Sequence, residues 1–191
     1  PFGEPKAKKQ DNFTDPQSRI MKTSSGFDQC YNGQLVVDAE SRLIVAAEVT
    51  QSAADAEQLL VMVEKCCETA QGVPLEVLAD AGYRSEDNLQ KLESKQIDGY
   101  ISLGREGKSQ SVVSGSENPA TFRMQEKLAT EKGRKTYGRR KGLVEPVNGW
   151  IKSVLGFRQF SLRGLAKVAG EWVLVCLALN LKQLSPQLVW N

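Results

Sequence analysis

Two short β-branched runs separated by a three-residue turn constrain the fold of this chain most. Residues 29–38 contain Gln34-Leu35-Val36-Val37, residues 42–50 contain Leu43-Ile44-Val45-Ala46-Ala47, and Ala39-Glu40-Ser41 lies between them. That pattern is a hairpin. Residues 52–69 follow with Ala56, Leu59, Leu60, Val63 and Cys67 at helical spacing, and Asp55 and Glu57 suit a helix N-terminus. After the Gly72-Val73-Pro74 break, residues 76–79 read as a short apolar strand ending at Asp80. Ser85 is placed to cap a helix running to Lys95, and residues 98–102 form another short strand. Residues 136–141 lead into a helix expected to start near Glu145-Pro146, because proline fits a first turn. Residues 165–184 form the last helix, whose apolar middle, Trp172 to Leu179, reads as buried. This order of strands and helices predicts an α/β fold, a mixed sheet flanked by helices.

With 191 residues and 40% hydrophobic content the chain can bury one sizeable core, so one domain is expected. Residues 1–27 are polar and read as a loop or linker, residues 28–191 as the folded domain, and residues 104–120 as a flexible insertion within it. No apolar run approaches the roughly 20 residues of a membrane span. The start lacks an initiator Met and an apolar core segment, so a cut end without a signal peptide is expected. The four cysteines form no CxxC pair, which fits reduced thiols in a cytoplasmic protein. There is no histidine. Ser-His-Asp and Cys-His catalysis and a histidine general base are therefore excluded, and a zinc site is not expected. Any chemistry falls to carboxylates and a hard cation such as Mg²⁺.

The net charge of +2 conceals a polarity. From Arg123 to Lys167 twelve Lys or Arg residues stand against Glu126, Glu131 and Glu145, a local +9. A solvated face without function is the plain alternative for such a run. Here it adjoins a carboxylate motif, which favours a footprint for a phosphate backbone. Asp80 follows an apolar strand, with Gly82 turning the chain behind it, and ligands collect at carboxyl ends of strands in α/β sheets. An Asp-Gly turn that merely ends a strand is the equal alternative. Glu145 is read in a helix first turn, at the edge of a buried stripe of Val144, Val147, Ile151, Val154 and Leu155, with Asn148, Gly149 and Lys152 along its flank. By itself a first-turn glutamate need only offset the helix dipole, worth about 0.3–1 kcal/mol.

Four segments taken together carry a resemblance. They are Asn12-Phe13-Thr14-Asp15-Pro16-Gln17-Ser18-Arg19, Tyr31-Asn32-Gly33-Gln34 with Val37-Asp38, Ala79-Asp80-Ala81-Gly82-Tyr83-Arg84-Ser85-Glu86, and the stretch from Tyr137 through Lys152. In that order they resemble the DDE-type transposases of bacterial insertion sequences, whose catalytic domain has the ribonuclease-H-like fold. The closing Gly156-Phe157-Arg158 and Leu162-Arg163-Gly164 also resemble that family's ending. The resemblance implies that Asp80 is the second metal-binding Asp and Glu145 the final Glu of a catalytic triad holding Mg²⁺ or Mn²⁺. It casts Tyr137, Arg140, Glu145 and Lys152 as the Tyr-Arg-Glu-Lys signature, with Arg140 and Lys152 on transposon-end DNA and Tyr137 supporting them. Arg139 or Lys141 could take the arginine role instead, and Arg134 and Lys135 join them as phosphate contacts. Asn148 departs from the aromatic residue that relatives tend to carry.

The first Asp is the larger departure. The hairpin reads as the second and third strands of the ribonuclease-H-like sheet, so the first strand is expected to be missing. Asp15 is the candidate within the chain, although Pro16 makes it a poor strand residue. The implied function is DNA transposition: metal-dependent strand cleavage and strand transfer at insertion-sequence ends by a catalytic portion that is inactive alone. Insertion-sequence ends and target DNA would be its partners, a homo-oligomer the state of the full-length parent, and the bacterial cytoplasm, beside the nucleoid, its place. The alternative is a non-catalytic DNA-binding remnant of a decayed transposase. A small phosphohydrolase would need a closed pocket instead of an open basic face.

Overall fold

The computed structural model describes residues 12–23, 26–104 and 117–185. The strands are β1 (Arg19–Thr23), β2 (Gly26–Cys30), β3 (Asn32–Val37), β4 (Ile44–Thr50), β5 (Glu76–Ala79) and β6 (Asp98–Ile101). The helices are α1 (Leu59–Ala70), α2 (Glu86–Ser94), α3 (Pro119–Ala129), α4 (Glu131–Ser153) and α5 (Leu165–Leu184). The chain is thus α/β, but among the described residues its strands form three separate pairs: β1–β2 antiparallel, β3–β4 antiparallel and β5–β6 parallel.

The β3–β4 hairpin lies where the sequence places it. Its turn is built by Asp38, whose Oδ2 accepts from the Ser41 backbone N–H and the Ser41 hydroxyl, both at 2.7 Å. Those bonds hold the Asp38 carboxyl below the usual carboxylate range. Ile44 and Val49 face one core with Val147, Ile151, Val168, Trp172, Cys176 and Leu179 from α4 and α5. The Trp172 indole N–H donates to the Gln34 carbonyl at 2.8 Å, fastening α5 to β3. A second core gathers Leu59 and Val63 of α1, Ala79 of β5, Leu89 and Leu92 of α2, Ile101 of β6 and Met124 of α3. Helices α1 and α4 touch both strand pairs, α1 also meeting β3 and β4 and α4 also meeting β5 and β6.

Four expectations are corrected. Residues 19–23, expected in a polar loop, pair with β2 as strand β1, anchored by the buried Met21. Residues 119–120, expected in a flexible insertion, open α3. Residues 105–116 of that insertion lie outside the described residues. The third correction concerns α4, which spans Glu131–Ser153 with Pro146 inside it, so Glu145 sits in mid-helix and not in a first turn. An interior proline costs about 3 kcal/mol, and helices in proteins draw most stability from packing. Here Gly133 and Thr136 are buried at one end of α4, and Val147 and Ile151 at the other. Gly133 lies so close to the Lys127 carbonyl that no side chain would fit there. Packing on both halves carries the helix across Pro146. Because α4 ends at Ser153, Val154 and Leu155 of the expected buried stripe are exposed. Finally, α5 is buried on one stripe only: Val168, Trp172, Cys176 and Leu179 are covered, whereas Val173, Leu174, Leu177 and Leu181 are exposed.

Candidate acidic cleft and basic helix

Strand β5 hands the chain directly to Asp80, which is extended (φ −81°, ψ 179°) and caps the short turn Ala81–Tyr83. Its Oδ1 accepts from the Gly82 N–H at 2.9 Å. A second carboxylate arrives from before α1. Asp55 Oδ1 accepts from the Asn32 side-chain amide at 2.7 Å and from the Gln34 side-chain amide at 2.9 Å. A Cβ on Gly82 would lie 3.0 Å from Asp55 Oδ2 and 3.1 Å from Asp80 Oδ1, so two carboxylates converge on one glycine. Tyr83 closes the group by donating its hydroxyl to Gln34. Burial, and then the Asp55 and Asp80 carboxylates beside it, push the Tyr83 phenol above its ordinary value. It therefore stays protonated and a donor.

Asp80 and Tyr83 border an elongated cleft of about 1070 Å³. Residues of β3 and β5, Leu59, Met62, Val63 and Cys66 of α1, and Arg139, Arg140, Leu143, Val144, Glu145 and Asn148 of α4 are among those that line it. The two acidic residues singled out in the sequence, Asp80 and Glu145, thus border the same cleft. Both are exposed. Asp15 is elsewhere: it is buried, its Oδ1 accepting from the Tyr31 hydroxyl at 2.7 Å and the Gly164 N–H at 3.2 Å. Burial and that bond to Asp15 push the Tyr31 phenol up to about 12. Asp15 fastens β3 to the start of α5.

On α4 the cations divide. Lys132, Arg134, Lys135, Arg139 and Lys141 are exposed along the helix and Lys152 is exposed at its end. Arg139 also reaches Glu76 at 3.4 Å. Arg140 turns inward: it is half-buried in the lining of the cleft, 5.7 Å from the centre of the Tyr137 ring, and its Nε is buried without a hydrogen-bond partner. That orientation separates it from the six exposed cations.

Asp80 and Glu145 offer the hard oxygen donors that suit Mg²⁺. Among the described residues no group of three or more His, Cys, Asp or Glu residues comes within reach of one ion. Asp55, Asn32, Gln34 and Tyr83 were not picked out as site residues from the sequence. A signal exists in Asn32 and Gln34, two amides at strand spacing on one face just ahead of the apolar run Leu35-Val36-Val37.

Fold and cleft together define an α/β domain with acidic groups at a strand end and a cationic helix over them. Residues 6–181 match the family model described as the transposase DDE domain, and the chain belongs to that family. The membership supports a role in transposition, and DNA is the partner that it implies. No curated protein and no solved structure matches the chain. No helix among the described residues is long and apolar enough to cross a membrane.

Proposed function

We propose that this chain is the DNA-handling and partial catalytic portion of a bacterial insertion-sequence transposase, with a ribonuclease-H-like sheet that lacks its first strand. The observation that carries the reading is the cleft itself: Asp80 at the end of β5 and Glu145 on α4 border it together, under a helix rich in exposed cations. Asp80 and Glu145 would hold Mg²⁺ or Mn²⁺, and such an ion, when bound, lowers the pKa of water and polarises a phosphoryl oxygen. The residues of the chain do the rest. Arg134, Lys135, Arg139, Lys141 and Lys152 hold the phosphate backbone and fix its register without reading sequence. Asp55, gripped by Asn32 and Gln34, sets the Asp80 turn. Tyr83 supports the turn from behind as a neutral donor.

Two carboxylates fall one short of the triad, which favours the reading that the 191-residue chain binds DNA and does not cut it. The test pairs both properties. Retention on duplex DNA at low salt is expected, together with no Mg²⁺-dependent nicking of a plasmid carrying the element's ends. Lost retention would remove nucleic acid as the partner. Nicking that survives Asp80→Ala and Glu145→Ala would remove the cleft as the catalytic site.

A further inference from the structure

Helix α5 is apolar on two opposite sides, and only one of them is covered. Val168, Trp172, Cys176 and Leu179 sit in the core, and Asn180 ties the same side to Ile44 of β4 through two bonds of 2.8 Å. On the other side Gly170, Leu174, Leu177, Leu181 and Leu184 follow one another at spacings of four, three, four and three residues. That alternation is the period of a helix–helix seam. Leu174, Leu177 and Leu181, with Val173 beside them, are between 48% and 66% exposed, and a side chain on Gly170 would meet nothing. No charged residue lies between Trp172 and Leu181. Leu162 widens the apolar face at its margin: the Glu171 carboxylate of α5 holds its N–H at 3.0 Å, and its side chain is exposed. A helix apolar all round is a buried helix.

The seam selects a helix as its occupant, because the knobs of one such stripe fill the holes of another. Size and charge along it select the helix and its direction. Lys167, exposed, stands three residues before Gly170 and continues the same spacing. Two copies of α5 laid in the same direction would set Lys167 against Lys167. Laid antiparallel, with a two-fold axis level with Val175 and Cys176, Gly170 falls opposite Leu181 of the partner subunit. Leu174 falls opposite the partner subunit's Leu177. The glycine leaves room for the leucine it meets, so bulk and notch alternate across the pair. Lys167 then lies beside the C-terminal end of the other α5, whose free carbonyls favour a cation. The face is complementary to itself, which is what an isologous two-fold contact requires.

We propose that the outer face of α5 is a homodimer interface, in which two copies of this chain pair their last helices antiparallel about a two-fold axis. The inference goes beyond the DNA-handling reading and rests on α5 alone. A helix of 20 residues is about 30 Å long. One such pair, with Leu162 at its margin, is a small interface, at or below about 1,200 Å² in all, so association in the micromolar range is expected.

The test sediments the full chain, freed of DNA, over about 1–500 μM, where a monomer–dimer equilibrium is expected. Leu177→Glu places a carboxylate on the seam and is expected to raise the dimerisation midpoint at least about tenfold. Because Leu177 is exposed in the single chain, the dilute variant is expected to melt as the parent does. The Gly170→Cys/Leu181→Cys double variant, oxidised with diamide, is expected to give a covalent dimer absent from the parent. Either single variant is not, since each position lies far from its own copy in the antiparallel pair. A monomer at every concentration would leave the face to the end of the same chain or to another protein and overturn the proposal. A dimer unmoved by Leu177→Glu would put the contact elsewhere and overturn it too. Cross-linking by the single variants would overturn the antiparallel order.

Discussion

Gly82 is the residue on which the acidic site turns, because its missing side chain is what lets Asp55 and Asp80 approach. In Gly82→Ala the new methyl would meet a carboxylate oxygen on either side at about 3 Å. Both oxygens must give way, and overpacking of this kind costs about 1–3 kcal/mol. A urea midpoint unchanged from the parent would contradict the convergence. Asp55→Ala tests the other half of the group. It removes one of two acceptors from the amides of Asn32 and Gln34, which keep Ser52 O and Asn32 Oδ1, and with Gln34 only 3% exposed the N–H left unpaired costs about 1–3 kcal/mol. Asp80→Asn behaves differently, since an amide oxygen still accepts from Gly82. Stability within about 0.5 kcal/mol of the parent is expected, with Mn²⁺ affinity lost in calorimetry. Asp15 was legible as a polar turn residue before a proline. Its burial against Tyr31 and Gly164 was not, because those partners lie 16 and 149 residues away.

At the scale of elements, α3 owes its start to another helix. Its first N–H groups have no partners within the helix, and Glu86 at the head of α2 supplies one: its carboxylate accepts from Ala120 N–H at 2.7 Å, Thr121 N–H at 2.9 Å and the Thr121 hydroxyl at 2.7 Å. Burial alone would raise the Glu86 carboxyl, but these bonds outweigh it and hold the group at about 2, below its ordinary 4.5. A carboxyl depressed by folding adds stability above the unfolded value and loses it as the pH falls toward the folded one. Protection of the Ala120 and Thr121 amides is therefore expected to decline between about pH 4.5 and pH 2, and Glu86→Gln should flatten that decline. A second prediction concerns Pro146. In a first turn its replacement would change little, whereas in mid-helix Pro146→Ala restores a backbone donor and should raise stability by about 1–3 kcal/mol. An unchanged melting curve would return Glu145 to a helix start. These two elements misled the sequence reading for one reason. The cap of α3 and the packing that carries α4 through Pro146 both come from residues distant in the chain.

The whole molecule is two cores joined by α1 and α4, with an open cleft lined by residues of both and six exposed cations on α4. If Arg134, Lys135, Arg139, Lys141 and Lys152 engage phosphates, log K against log salt should fall with a slope near −4 to −5 on duplex DNA. A slope near zero would mean that the cations do not meet the backbone. Substituting Arg140, which points inward, should leave the slope nearly unchanged, whereas Lys135→Ala should reduce it by about 1.

Periodicity and turn chemistry, both local, were enough to place β3, β4, β5, β6, α2 and α5 close to their final bounds, with Ser85 capping α2 as its position suggests. The order of motifs was enough to point to the family that residues 6–181 match. The tertiary structure alone decided what depends on contacts across the chain. It tied Asp15 away from the cleft, drew Asp55 to Asp80, turned Arg140 inward and left α5 half-exposed. Among the described residues it also left the β3–β4 and β5–β6 pairs as separate sheets. A sequence records which residues favour a strand or a helix, but which edges meet is settled by how the elements bury their apolar faces against one another.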